Sequence, residues 1–391
     1  MARKPRAIQV GIGGIGKGHF KRLMSGEHFR LVAVVDRYPE REDVAASRAA
    51  AEAAGIPFFT DYRQALRKVK AEAAFVCTPH PWHAPISIAA MQRGMGVFTE
   101  KPAASSAADA QRMLRVSQET GMPLSVGFNP TAEAEYWALK NHIAQGDLGE
   151  IREVVVVVNW YREDDYYTRS EWVGKEKMEG KWCRDGVMFN QSSHFFAAAL
   201  WLASRKPGAA FATATRARAG LYRVHPVPQL EMEDLACAIL ELDGQPGKRL
   251  IYYGTTCNPS GKSATWVAVF GERGQAVVGS GKIELYDGKT IPLRIPKIQS
   301  KHENLRRAIT RGETPLCPIA EGVKVTEAVE LVYKAARNRI KVVDRGKLAN
   351  LSEIIYRAAA ERRLFSEMSG APDWAAEGKA IAETEGYALP A

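Results

Sequence analysis

No run of apolar residues approaches the roughly 18 that a membrane-crossing helix requires, and the opening MARKPRAIQV passes from a basic tip straight into a strand-like segment. Neither a membrane span nor export is expected. Cysteine is scarce: Cys77, Cys183, Cys237, Cys257 and Cys317 are scattered without a C-x-x-C pair, which argues against a disulfide framework or a zinc ribbon and suits a reducing cytoplasm. Low-complexity sequence and any excess of Gly or Pro are absent too, so the chain is expected to fold without help. The formal net charge of +10 would admit nucleic acid, an acidic substrate or an anionic cofactor. The basic residues are dispersed, however, and Phe is not interleaved with them as a base-stacking platform, which argues against nucleic acid. At 391 residues the chain exceeds one ordinary core, and two domains are expected.

The first third alternates β-branched runs with amphipathic stretches. Strands are predicted at Ala7 to Gly11, Arg30 to Asp36, Ala74 to Cys77, Gly96 to Thr99 and Pro123 to Gly127. Helices are predicted at Gly16 to Ser25, Val44 to Ala54, Tyr62 to Val69, Pro85 to Arg93 and Ser106 to Thr120. This is the pattern of βαβ units feeding a parallel sheet. From Ile151 the character changes to successive strands: IREVVVVVNWY, Ala209 to Arg216, Asp234 to Leu242, Lys248 to Thr256, Ser263 to Phe270 and Gln275 to Gly279. Turn signals at Asp243-Gly244 and Asp287-Gly288 mark a mainly antiparallel open sheet, interrupted by a helix near Asn190 to Leu202. The expected organisation is a Rossmann domain over residues 1–128, an α+β substrate and oligomerisation domain over 129–345 opened by a bridging helix, and a C-terminal extension over 346–391, helical at first and then wrapping the surface.

Gly11-Ile12-Gly13-Gly14-Ile15-Gly16 is a G-x-G-x-x-G that follows a strand and opens a helix. The first glycine allows the tight turn, the second lets backbone approach a pyrophosphate, the third permits close packing of helix on strand, and the helix N-terminus offers free N–H groups. Asp36 closes the next strand, where an acid accepts hydrogen bonds from ribose hydroxyls and would repel a 2′-phosphate. NAD is therefore expected over NADP. Arg37 keeps the alternative open, since it could pair with that phosphate or lie across the adenine.

Two further segments narrow the reading: Cys77-Thr78-Pro79-His80-Pro81-Trp82-His83, and Thr99-Glu100-Lys101-Pro102. A third set comprises Trp160-Tyr161-Arg162, Tyr166-Tyr167, Trp172-Val173-Gly174, and Asp185-Gly186-Val187-Met188-Phe189-Asn190-Gln191-Ser192-Ser193-His194. In this order and spacing, to about residue 345, the sequence resembles the glucose-fructose oxidoreductase, inositol dehydrogenase and MocA family. The resemblance implies that Lys101 lies beside the nicotinamide and the substrate hydroxyl, that Thr78, Pro79, His80 and His83 shape the cofactor crevice with Glu100 and Asn129, and that Asn190 and His194 face the ring. The sequence departs from the family pattern in two places: Arg184 and Asp185 stand where glycines usually precede the helix, and Asn190 stands where many relatives carry Asp.

Oxidising a secondary alcohol requires a base at the hydroxyl as hydride leaves carbon. His194 is the candidate base, Asn190 one turn away orients the substrate, and Lys101 stabilises negative charge on the oxygen or relays its proton. Trp160, Arg162, Tyr166, Tyr167 and Trp172 mix aromatic faces with charge, as a carbohydrate site or a subunit interface would. The accompanying Lys and Arg hint at a carboxylated or phosphorylated substrate, but a solvated loop would look the same. No metal is indicated, because His80 and His83 lack a second pair of ligands. The expected function is an NAD(P)-dependent dehydrogenase of a sugar, sugar acid or cyclitol. The alternatives are a redox-neutral glycosidase or lyase that uses bound NAD transiently, and a non-catalytic NAD sensor. A homodimer or homotetramer is implied by the family habit of pairing through the second sheet.

Overall fold

The computed structural model describes residues 3–258 and 263–343. The chain up to Val342 is one compact unit; the predicted extension over 346–391 lies outside the described residues.

Six strands, β1 (Arg6–Val10), β2 (Arg30–Val35), β3 (Phe58–Phe59), β4 (Ala73–Val76), β5 (Gly96–Thr99) and β6 (Leu124–Val126), form a parallel sheet in the order β3-β2-β1-β4-β5-β6. Helices α1 (Gly16–Met24), α2 (Glu42–Ala53), α3 (Tyr62–Lys68), α4 (His83–Met91) and α5 (Ala107–Thr120) connect them. Alternate strand residues sort to opposite faces, as the pleat requires. Ile8, Val10, Ala74, Val76 and Val97 join one core, while Ala7, Ala73, Phe75 and Phe98 join the other. Helix ends follow local chemistry: Asp61 and Ser106 cap α3 and α5 through their side chains, and Gly121 ends α5 with φ +68. The order reverses between β1 and β4, and ligands of open α/β sheets bind in that crevice at the carboxyl edge.

After α6 (Ala134–Gln145) the chain enters a nine-stranded sheet built from β7 (Ile151–Asn159), β10 (Ala214–Arg223), β11 (Leu235–Leu242), β12 (Arg249–Thr255), β13 (Ala264–Gly271), β14 (Gly274–Val277), β15 (Lys282–Leu285), β16 (Thr290–Pro292) and β17 (Ile340–Val342). The order is β16-β15-β14-β13-β7-β12-β11-β10-β17, antiparallel except at β7/β12 and β10/β17. A separate hairpin, β8 (Lys177–Met178) and β9 (Lys181–Trp182), lies before α7 (Ser193–Ala203).

Besides short strands that the sequence reading did not include (β3, β8, β9 and β15 to β17), three differences bear on the site. The strand expected from Ala209 begins at Ala214, because Phe211 and Ala212 are buried in a connection whose N–H groups bond Glu321 and the Leu200 carbonyl. The helix expected from Asn190 is instead a π-helical turn, Val187–Gln191, followed by α7 from Ser193, so Asn190 and His194 do not share one regular helix. Helices α8 (Lys301–Arg311) and α9 (Ile319–Ala335), not anticipated, return from the second sheet to the first. Leu305 of α8 is buried in the core beside Phe75 and Phe98, and the Cys317 carbonyl accepts from Val126 N–H.

Lys140 of α6 is wholly buried, and its amine donates to the carbonyls of Trp201 in the last turn of α7 and of Ser204 and Ala210 beyond it. Burial pushes its pKa down to about 7. Lys140→Met leaves these carbonyls without their donor and is expected to lower the unfolding free energy by about 1–3 kcal/mol in urea denaturation. Because the folded-state value lies below that of an unfolded lysine, ~10.4, the folded protein binds fewer protons in that window, so this group's contribution to stability increases as pH rises from about 7. The variant should lose that slope.

Candidate active site

The glycine loop is shaped by close approaches. Gly11 has φ +88, and a Cβ there would stand 2.4 Å from the Cys77 carbonyl oxygen; one on Gly16 would stand 2.3 Å from the Gly11 oxygen. Gln9 braces the loop from beneath, its Nε2 donating to both the Gly11 and Gly16 carbonyls. No side chain caps the amino end of α1, and Ile15 there is exposed. Asp43 engages the Gly14 N–H at 2.9 Å and would collide with any side chain on Gly13. Asp36 accepts from the Ile12 and Tyr38 N–H groups, which aims its carboxylate across the end of the loop. Beside Gly11, the buried Thr78 hydroxyl has no hydrogen-bond partner. A backbone cradle with no room for side chains at Gly11, Gly13 and Gly16, an acid at its edge and an orphaned hydroxyl beside it fit a dinucleotide.

Pro79 carries the chain from β4 into the turn that bears the two histidines. His83 is buried with both ring nitrogens against carbonyls, Nδ1 at 2.7 Å from Pro102 and Nε2 at 2.7 Å from Thr78. It therefore ties the turn after β4 to the turn after β5 and has no nitrogen left for a cofactor. His80 reaches the other way, bonding the Cys183 carbonyl and meeting the Trp172 ring edge-on. Burial, with His83 and Lys101 nearby, holds His80 well below the usual imidazole range and hence neutral.

Glu100 is buried beneath Lys101. Its carboxylate bonds His19 of α1 at 3.0 Å and the Lys101 N–H at 3.2 Å, and His19 in turn meets His302 of α8. Burial alone would raise this carboxyl, but His19 and Lys301 outweigh it and hold the pKa at about 2. Lys301 donates to the Gly127 carbonyl and to Asn129 Oδ1.

Lys101 Nζ donates to Asn190 twice, at the backbone carbonyl (2.8 Å) and at Oδ1. The Asn190 amide then donates to Asp185, whose other oxygen accepts from Gly174 N–H. The acid absent from position 190 thus stands five residues earlier and acts through the asparagine. Burial raises the Asp185 pKa to about 6. Burial also lowers that of Lys101, opposed by Glu100 and Asp185 and assisted by Lys301 and Arg169. The turn carrying Asn190 rests on Glu233, a wholly buried carboxyl pushed up to about 7 by burial. Glu233 accepts from Met188 N–H and the Tyr333 hydroxyl and leaves no room for a side chain at Gly186.

His194 changes role. Its Nδ1 accepts the Asn129 N–H at 3.1 Å, so the neutral ring carries its proton on Nε2 and offers a donor rather than a base. Burial and Lys101 hold it well below the usual imidazole range. Asn129, its N–H on His194 and its side chain on Lys301, links these groups instead of presenting itself to a cofactor.

The aromatic segment divides. Tyr167 is buried among Val173, Val227 and Leu230, with its hydroxyl on Thr256, and is a core residue rather than a substrate contact. Trp160 donates from Nε1 to Thr265, and Trp172 packs on His80. Tyr166 stays partly exposed and bonds Gln191 beside Asn190. His225, Asp234 and Cys257 gather their ligand atoms within 4.8 Å of one another. Both His225 nitrogens are already engaged, by Asp234 and by the Arg162 carbonyl, so the trio braces the segment.

Residues 6–128 match the oxidoreductase family with an NAD-binding Rossmann fold, and residues 136–277 match the GFO/IDH/MocA C-terminal domain. The chain belongs to the GFO/IDH/MocA family. It is 30% identical over 166 residues to 4-carboxy-2-hydroxymuconate-6-semialdehyde dehydrogenase of Sphingobium sp., covering 42% of this chain and 51% of that protein. It is 34% identical over 145 residues to inositol 2-dehydrogenase of Salmonella typhimurium, covering 36% of this chain and 42% of that protein. The chain thus spans about half, or less, of the length of these curated relatives. The WlbA dehydrogenase of Bordetella pertussis, solved with NADH and UDP-GlcNAcA, superposes with a TM-score of 0.70 at 25% identity, over 86% of this chain and 97% of that one.

Within this GFO/IDH/MocA member, Asp185, Glu233, His19 and Lys301 escaped the sequence reading. Only Asp185 left a signal there, as a charge in place of a family glycine. Asp185→Asn removes a charge that favours the protonated amine, so Lys101 is expected to titrate roughly 0.5–1 unit lower, read from the ¹³Cε shift of labelled lysine.

Proposed function

We propose that the protein is an NAD-dependent dehydrogenase that moves hydride between the nicotinamide and a secondary alcohol or ketone carbon of a sugar, sugar acid or cyclitol. The observation that carries this is the Lys101 amine, lowered in pKa and held by Asn190 at the carboxyl edge of the parallel sheet. Gly11, Gly13 and Gly16 would cradle the pyrophosphate, Asp36 would take the ribose, and Thr78 would face the crevice. NAD, when bound, supplies the hydride acceptor. Lys101 in its neutral form takes the hydroxyl proton, and Asn190 holds the amine in place while Asp185 offsets its charge once it is protonated. His194 Nε2–H donates to the same oxygen. A sensor would need none of this arrangement.

NAD is favoured over NADP by a contact between the two halves of the fold. Arg37, the residue that could greet a 2′-phosphate, is bonded by both Glu179 oxygens, at 2.6 and 2.8 Å. Glu179 sits at the tip of the β8–β9 hairpin, with φ +50, followed by Gly180 at +73. The same hairpin lays Lys181 over Trp82. This clasp at the adenosine end also supports the second reading, in which retained NAD is used transiently by a glycosidase or lyase with no net reduction. The outward residues Val155, Ile239 and Ile251, aligned across neighbouring strands of the second sheet, are where copies of the chain would pair as a dimer or tetramer. No helix among the described residues is long and apolar enough to cross a membrane, and a cytoplasmic location is proposed from the cysteine usage.

Lys101→Met is expected to lower kcat/KM for NADH formation by about 10²–10⁴-fold while NADH affinity, read by fluorescence, stays within about threefold; unimpaired turnover would remove the lysine from the mechanism. Substrate consumption without NADH accumulation in the unaltered protein would select the redox-neutral reading. Glu179→Gln frees Arg37 and removes a repelling charge, and should tighten NADP binding roughly fivefold with NAD binding little changed, measured by calorimetry.

A further inference from the structure

We propose that the substrate carries an anionic group, a carboxylate or a phosphoryl ester, which Arg162 and Arg169 bind beside Tyr166 at the mouth of the Lys101 pocket. This rests on the dehydrogenase reading only in calling the ligand a substrate. Arg169 lies with Cζ 3.9 Å from the centroid of the Tyr166 ring and donates from Nη2 to the Tyr166 hydroxyl at 2.9 Å. Arg162 approaches the same ring at 5.3 Å and the Trp160 ring at 5.1 Å. Two guanidiniums thus converge on one aromatic ring, and among the described residues no carboxylate lies within 4.0 Å of either, although Glu163, Asp164, Asp165 and Glu171 are close in sequence.

Like charges gathered with no carboxylate in contact repel one another, since the buried Asp185 offsets Arg169 only from a distance, and an anion from outside relieves that repulsion. The ring is also claimed: an aromatic face covered by guanidinium is not free to stack on the C–H face of a neutral sugar, so Tyr166 is a platform for cations. The Tyr166 hydroxyl meets Gln191, the residue after Asn190, which places the pair at the reacting end of the pocket. Arg169 and Lys301 also add to the positive field at Lys101.

Arg162 stands on a built support, and Arg169 is held to it through Tyr166. Arg162 N–H donates to the Thr256 carbonyl at 2.8 Å, and the Arg162 carbonyl meets His225 Nε2 at 2.9 Å. His225 is itself held by the buried Asp234, and Tyr167 is pinned to Thr256 at 2.6 Å. Both backbone polar groups of Arg162 are fixed, and both guanidiniums keep donors to spare for a bidentate oxyanion.

The test is calorimetry on the full chain saturated with NADH, using glucose, glucuronate, galacturonate, glucose 6-phosphate, myo-inositol, an inositol phosphate and a nucleoside-diphosphate sugar. At least one anionic compound should bind about 10-fold or more tighter than its neutral counterpart, with uronates and phosphates telling carboxylate from phosphoryl recognition, and Arg162→Gln and Arg169→Gln should each reduce that preference to about threefold or less. NADH affinity and melting temperature should be unchanged in these variants. Equal binding of charged and neutral compounds, no binding by any anionic compound, or a preference that survives both substitutions overturns the proposal. So does a change of oligomer mass in the variants with the ligand preference intact, which would make the arginines interface residues. Arginine-dependent binding without hydride transfer would leave the anion site standing and remove the dehydrogenase reading; hydride transfer on a neutral sugar, indifferent to both substitutions, would do the reverse.

Discussion

An ammonium group taken out of water between two sheets must be compensated by its neighbours, and the placement of Lys101 makes that demand on much of the molecule. Glu100 lies beneath it, Asn190 grips the amine, and Asp185 supplies negative charge through the asparagine. Each of these needs its own support. Glu100 stays ionised because His19 and Lys301 face it, and Asp185 is anchored by Gly174 N–H. The turn carrying Asn190 can pass over Glu233 only because Gly186 has no side chain. Burial, opposed by Glu100 and Asp185, leaves the amine depressed in pKa yet still hydrogen-bonded.

The same demand explains why the chain returns to the first sheet after completing the second. Helix α8 brings Lys301 and His302 to the Glu100 network and buries Leu305 in the first core. His83 joins the two turns at the carboxyl edge from inside, so the segment that shapes the crevice is tied to the segment that carries the lysine. Arg184 ties the loop before Asn190 to Glu330 of α9. Cofactor crevice and substrate side are thus held by side chains drawn from both sheets.

Much of this was legible locally. The glycine loop, Asp36, Glu-Lys-Pro and the Asn190 to His194 stretch are short strings whose chemistry depends on neighbours within a few residues and on a strand ending where it does. What escaped depends on distant partners. Nothing near His194 in sequence reveals that Asn129 N–H will take Nδ1 and turn a candidate base into a donor. Tyr166 and Tyr167 are adjacent and chemically alike, yet one stays partly exposed beside Gln191 and the other is sealed against Val173 and Leu230. The π-helical turn shifts Asn190 off the face that a regular helix would give it, because its N–H groups are set by Gly186 and the Glu233 carbonyl beneath.

The sequence by itself determined the two-sheet architecture, the dinucleotide cradle and the lysine at its edge, since these follow from hydrophobic periodicity, glycine spacing and residues contiguous in the chain. Only the tertiary structure decided which groups are charged, which nitrogen of a histidine is free, and which acid answers the lysine. Protonation and hydrogen-bond direction are properties of an enclosed neighbourhood, and here it is assembled from positions 19, 100, 185, 194 and 301, which lie far apart until the chain folds.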